Sequence, residues 1–171
     1  VDIRKFLLNS YGLKEDEKNL IHNTSICQPA LFITEYVISE YLMLLGINPK
    51  VMIGHSLGEY VAATLAGVFT LEDALSTIVE RGRLMESTSN GKMLAVGLSE
   101  DEIQDYLSET ISLAAINSEK LCVISGSLEE IESVQSKLDR LNIYNKLLTT
   151  NHAFHSTMMN EILELFYKHL C

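Results

Sequence analysis

Val51-Met52-Ile53-Gly54-His55-Ser56-Leu57-Gly58-Glu59-Tyr60 is the stretch on which the reading of the fold turns. Val51–Gly54 is a short apolar run of the kind that forms a buried strand, and Glu59–Val68 carries Val61, Leu65 and Val68 at helical spacing. Between them lies Gly54-His55-Ser56-Leu57-Gly58, a Gly-x-Ser-x-Gly turn in the strand-to-helix setting that a nucleophile elbow requires. The glycines permit a tight turn and close backbone approach. The turn lifts the Ser56 hydroxyl clear and sets it at a helix N-terminus, where free N–H groups favour a developing oxyanion.

Working outward, residues 29–45 read as a helix, opened by Pro29 and stopped by Gly46. Thr70-Leu71-Glu72-Asp73 resembles a capping box and opens a further helix to about Ser87, with Ala74, Ile78 and Met85 as its apolar stripe. The next sixty residues change character. Met93–Leu98, Ile111–Asn117, Leu121–Ser127 and Ile143–Thr149 read as strands. A short capped helix from Ser99 carries Ile103 and Leu107, and a longer one from Ser127 carries Ile131, Val134, Leu138 and Leu141. The order β-α-β-β-α-β is that of a ferredoxin-like unit inserted into an α/β frame.

The composition bounds what this frame can do. With 171 residues, 47% hydrophobic, the chain supports one domain with an insertion. A net charge of −10 argues against nucleic acid or an anionic membrane surface as a partner. No apolar run approaches a spanning helix. Cys27, Cys122 and Cys171 are odd in number and widely spaced, which together with the lack of a signal-like N-terminus predicts free thiols in a cytoplasmic protein.

A serine nucleophile needs a base, and histidine serves near neutral pH. Of five histidines, His22 and His169 read as surface residues and His55 as a hydrogen-bonded packing residue. His152 and His155 follow the last strand of the inserted unit, and one of them is the expected base. His-x-x-His without nearby Cys or acidic ligands makes a poor metal site, so no metal is expected. Positions 74, 78, 81 and 85 share one helix face, which puts Arg81 on the apolar stripe and Arg83 off it. A guanidinium there needs an anionic partner, an internal carboxylate or a substrate one, or else a water-filled cleft.

These residues resemble the signature of malonyl-CoA:acyl-carrier-protein transacylases and, equally, of the acyltransferase domains of modular polyketide synthases. The resemblance rests on Gly54-His55-Ser56-Leu57-Gly58-Glu59-Tyr60 together with four further pieces in the family's order. These are Gln28-Pro29-Ala30-Leu31-Phe32, Glu80-Arg81-Gly82-Arg83, Gly91-Lys92-Met93-Leu94-Ala95-Val96 and His152-Ala153-Phe154-His155-Ser156. It implies an α/β fold in which a parallel-sheet, hydrolase-like acyltransferase subdomain (1–90 and 151–171) is interrupted by a ferredoxin-like subdomain (91–150), with the site in the cleft between them. It implies Ser56 as nucleophile, His155 as base and the Leu57 amide as an oxyanion donor. Arg81 would hold the free carboxylate of malonate, Gln28 would line the site, and Asn117 would face it from the smaller subdomain. Phe154 would fill the space an α-methyl group needs and so favour malonyl over methylmalonyl units.

The implied partners are malonyl-CoA, a phosphopantetheinylated acyl-carrier protein and other domains of a larger synthase, with no cofactor. Family members open with a strand and a Gly-Gln-Gly turn that does not precede Val1, and continue past Cys171, so the segment is expected to be incomplete at both ends. Ser118-Glu119 stands where the family often has Pro. Two other readings remain open. One is a hydrolase of esterase type or one acting on acyl-carrier proteins, for which Ser…Asp…His order would nominate Asp139; the other is a non-catalytic docking domain of a synthase.

Overall fold

The computed structural model describes residues 2–8 and 19–171. They form seven α-helices: α1 (Arg4–Leu7), α2 (Thr24–Leu44), α3 (Gly58–Leu65), α4 (Leu71–Glu86), α5 (Glu100–Ile103), α6 (Leu128–Arg140) and α7 (Asn160–Leu170). Four strands accompany them: β1 (Gly91–Val96), β2 (Ile111–Ser118), β3 (Leu121–Ser127) and β4 (Asn145–Leu147). The chain divides into two compact units, Val1–Glu86 with His169–Cys171, and Ser87–Lys168.

The first unit is helical among the described residues. Phe32 from α2, Leu57 and Val61 at the start of α3, and Ala74 and Ile78 from α4 make one buried cluster. Phe32 and Ile78 are wholly buried, and each contributes about 1.5–3 kcal/mol by that burial. Helix α2 begins at Thr24, more than a turn before Pro29, so Pro29 lies inside the helix. The early start is stabilised from outside: the Ser25 N–H of its first turn donates to the Glu86 carboxylate at 2.8 Å, as free N–H groups at a helix N-terminus require. Gly82 permits the close approach of α4 and α2, since a Cβ there would stand 2.9 Å from the Thr24 carbonyl oxygen and 3.1 Å from Ser25 Cα. Thr70 caps α4, accepting from the Asp73 N–H at 3.1 Å.

Val51–Gly54 differs from expectation. The run is no strand, and Val51 and Ile53 are 86% and 91% exposed. A strand exists only through ladder hydrogen bonds to a neighbour, and no described segment supplies one. The parallel sheet expected around this run is therefore not present among the described residues. Val68 likewise falls outside α3, which stops at Leu65 before the left-handed Gly67.

The second unit carries the sheet, in the order β2-β3-β1-β4. All neighbours are antiparallel, with Gly91 opposite Ser127, Leu94 opposite Leu147 and Ile111 opposite Gly126. Leu94 and Val96 of β1, Ile124 of β3, Ile103 of α5 and Ile131 and Leu138 of α6 form its core. A complete capping box between Ser99 and Glu102 opens α5. Leu141 ends outside the core, 61% exposed, because α6 stops at Arg140 and Asn142 turns the chain with a positive φ. Residues 151–168 group by contact with this unit rather than with the flanking frame. Their attachment is local: the Gly91 N–H donates to the Asn151 carbonyl at 2.9 Å, Asn90 bridges His152, and the Thr157 hydroxyl donates to the Glu109 carbonyl.

Among the described residues no helix is long and apolar enough to cross a membrane, and no group of three or more His, Cys, Asp and Glu side chains could hold a metal ion. Cys27, Cys122 and Cys171 are free thiols.

Candidate active site

Ser56 takes φ +53°, a left-handed conformation rare for a residue with a side chain. The turn holding it is fixed from both sides. A Cβ on Gly54 would lie 2.0 Å from the Glu59 nitrogen, so this position admits only glycine. The Gly54 N–H is taken by the Glu59 carboxylate at 3.0 Å. Gly58 has no such constraint, its added Cβ meeting only Glu35 Oε2 at 3.8 Å. Of the two glycines in the motif, the first alone is demanded by the packing described.

The amides that follow turn into the helix. Gly58, Glu59 and Tyr60 donate to the carbonyls of His55, Ser56 and Leu57. The Leu57 N–H precedes this series, at the N-cap of α3, and donates to nothing among the described residues. The Leu57 side chain is buried in the core cluster, which anchors that amide. A fixed, unspent N–H one residue after a serine hydroxyl is the donor an oxyanion needs. His55 is exposed, which corrects its reading as a packing residue: the turn directs it away from the core that takes Leu57.

Arg81 lies half-buried on the inner side of α4, beside the buried Ile78 and Met85, whereas Arg83 is exposed and pairs with Glu80 at 2.6 Å. The Arg81 Nη1 donates to Gln28 Oε1, and Gln28 Nε2 points at the Met85 sulfur at 3.2 Å. The guanidinium carbon stands 5.6 Å from the centroid of the Tyr60 ring. Burial pushes the Arg81 pKa down from its usual value while Tyr60 works in the opposite direction; arginine nonetheless stays charged at any ordinary pH. No Asp or Glu pairs with Arg81 among the described residues. Of the two carboxylates that could satisfy this cation, the internal one is therefore absent among them. Gln28 thus sits beside Arg81.

In the second unit His152 and His155 separate cleanly. His152 is 8% exposed, its Nδ1 lies 3.3 Å from the Thr88 hydroxyl, and its ring stacks on Phe154 with centroids 6.0 Å apart. It is a satisfied core histidine. His155 is exposed and takes φ +58°. Its turn is tied by the Ser156 hydroxyl, which donates to the Ala153 carbonyl at 2.6 Å and accepts from the Met158 N–H at 3.2 Å. Ala153 is fully buried against Gly91, where any side chain would collide with it. Asn117 is exposed at the end of β2, and Phe154 is half-buried.

Sequence reasoning passed over two participants. Glu59 closes the elbow through the Gly54 amide, and Tyr60 faces Arg81. Both are in the quoted signature, but Glu59's partner shows only once the turn is folded and Tyr60's only once α3 is packed against α4.

The family model for the acyl transferase domain matches residues 10–171. A phenolphthiocerol/phthiocerol polyketide synthase subunit of Mycobacterium tuberculosis is 38% identical over 143 residues, which cover 84% of this chain and 10% of that protein. The naringenin synthase of Pestalotiopsis fici is 39% identical over 152 residues, covering 86% of this chain and 6% of that protein. Among solved structures, the acyltransferase domain from the second module of the salinomycin polyketide synthase superposes with a TM-score of 0.86 at 32% identity, covering 98% of this chain and 40% of that one. The malonyl CoA-acyl carrier protein transacylase of Burkholderia pseudomallei superposes with a TM-score of 0.82 at 30% identity, covering 91% of this chain and 56% of that one. The chain therefore spans a tenth or less of these two curated synthases, and two-fifths to just over half of these two solved structures.

Proposed function

Because the chain belongs to the acyl transferase domain family, we propose that it carries the nucleophile and the acyl-recognition residues for malonyl transfer within a polyketide or fatty-acid synthase. The observation that carries the reading is Ser56 held at φ +53° in a turn closed by Gly54 and Glu59, directly before a Leu57 amide that donates to nothing among the described residues. Stored backbone strain of this kind belongs to elbows that present a hydroxyl for attack.

The proposed reaction runs in two halves. The Ser56 oxygen adds to the thioester carbonyl of malonyl-CoA while His155 takes its proton. The Leu57 N–H stabilises the tetrahedral oxyanion. The carbon–sulfur bond then breaks, and CoA leaves as the thiol with that proton. In the second half the phosphopantetheine thiol of an acyl-carrier protein attacks the seryl ester, and its proton returns through His155 to Ser56. Arg81 holds the free malonyl carboxylate in a bidentate contact that acetyl groups cannot make. Gln28 lines that end of the site, Asn117 is a further substrate-binding residue, and Phe154 disfavours an α-methyl substituent. The sheet of the second unit is proposed as a ferredoxin-like subdomain, inserted in a hydrolase-like frame, in a cytoplasmic synthase whose other domains supply the carrier protein. Simple ester hydrolysis has no use for a cation at Arg81 without an internal carboxylate, which favours transfer of a carboxylated acyl group.

The full-length protein incubated with equal malonyl-CoA and methylmalonyl-CoA should gain the mass of a malonyl ester, and Ser56→Ala should gain none. The malonyl adduct should exceed the methylmalonyl one by roughly 10- to 200-fold, the worth of one methyl group in a fitted site. An adduct on Ser56→Ala removes the nucleophile, and equal adducts remove the role of Phe154.

A further inference from the structure

Tyr60 is the third residue of α3, four positions beyond Ser56. Its ring packs against the buried cluster of Phe32, Leu57 and Ile78 and stacks on Phe69, with centroids 6.3 Å apart and planes at 17°. An aromatic ring so held has little rotamer freedom left. The Arg81 guanidinium carbon stands over that ring at 5.6 Å, within reach of a cation–ring attraction that strengthens as water is excluded. On its edge the same guanidinium is tied to Gln28, itself braced on Met85. Two supports from two other helices therefore constrain a cation that has no carboxylate beside it among the described residues.

We propose that Tyr60 is a positioning residue for Arg81, holding the guanidinium plane so that its remaining N–H groups meet a substrate carboxylate at a fixed place. The proposal rests on the reading of Arg81 as the carboxylate anchor. It adds that selectivity for a carboxylated acyl group depends on the flat face of residue 60, which touches no substrate atom. A flexible arginine in water would lose more freedom on binding than one already lying on a ring. Removing the ring should therefore weaken recognition of malonyl groups and leave attack on an uncharged acyl group alone.

The test measures KM and kcat for Ser56 acylation by malonyl-CoA and by acetyl-CoA in the full-length protein, its Tyr60→Phe, Tyr60→Leu and Tyr60→Met variants, and Arg81→Ala. Tyr60→Leu should raise the malonyl-CoA KM about 3- to 30-fold, the range a partly desolvated cation–ring contact is worth, with acetyl loading nearly constant. Tyr60→Phe keeps the ring face and loses only the hydroxyl, so it should lie closer to the parent protein than to Tyr60→Leu. Tyr60→Met fills a similar volume without a ring, so it should behave as Tyr60→Leu does, and it replaces that variant if leucine prevents folding. An equal loss for both acyl groups, or no loss in either ring-free variant, overturns the proposal, as does Tyr60→Phe failing as badly as Tyr60→Leu. Arg81→Ala separates the two claims. If it depresses malonyl relative to acetyl loading while the Tyr60 variants do not, only the positioning role falls; if it leaves the ratio unchanged, the anchor falls and takes the positioning role with it.

Discussion

His152 and His155 lie three residues apart, and the fold gives them opposite surroundings. The first is buried, bonded to Thr88 and stacked on Phe154, so its ring is spent on packing; the second is exposed on a strained turn that Ser156 ties down. Replacing them should separate catalysis from stability. His155→Ala should slow acylation by roughly two to four powers of ten, the usual worth of a general base, with little change in melting temperature. His152→Ala should cost about 2 kcal/mol of stability through a lost buried contact and hydrogen bond, with a smaller loss in rate. Stopped-flow acylation beside thermal unfolding checks both, and the reverse pattern would transfer the base to His152. Residue chemistry and position alone leave these two histidines level; the Thr88 contact that distinguishes them joins residues 64 apart. Arg81 was legible because helical spacing is a local rule. Tyr60 was not, because its contact depends on how one helix lies against another.

At the scale of elements, the first unit turns on how closely α4 approaches α2. Gly82 meets the backbone of Thr24 and Ser25, and backbone cannot rotate aside as a side chain can. Gly82→Ala should therefore destabilise the protein by about 1–3 kcal/mol despite the better helix propensity of alanine. Because Gln28 and Arg81 stand on these two helices, the same change should also raise the KM for malonyl-CoA. Arg83→Ala, at the next position but on the exposed face, removes only a surface pair and should leave stability nearly unchanged. Chemical denaturation of the two variants, with loading kinetics, provides the comparison; a neutral Gly82→Ala would mean that the helices part without cost. Helix existence was legible here from periodicity and caps, but the start of α2 was not. Pro29 suggested a first turn, while the Glu86 carboxylate that supports the earlier start comes from the far end of α4.

On the scale of the whole molecule, the reading of Val51–Gly54 as a buried strand fell short because an apolar run states a need for burial and not what will meet it. In the described structure that run borders a groove of about 610 Å³ lined by Leu42, Met43, Ile47, Ile53 and Leu65. Tyr41, Leu44 and Val51 extend the exposed apolar surface of the same unit. Exposed apolar surface of this extent marks an interaction face. The 171 residues taken alone should accordingly self-associate as concentration rises. Val51→Lys and Ile53→Lys change residues that are 86% and 91% exposed, so they should leave the folded unit intact. Together they should return the chain to the monomer, since two charges set in an apolar face must lose their water before a second copy can cover it. Sedimentation velocity over a wide concentration range, with and without the two lysines, reads the outcome directly. A parent chain that stays monomeric throughout would show that this face is too small to recruit a partner. Association that survives both lysines would instead place the contact elsewhere on the molecule.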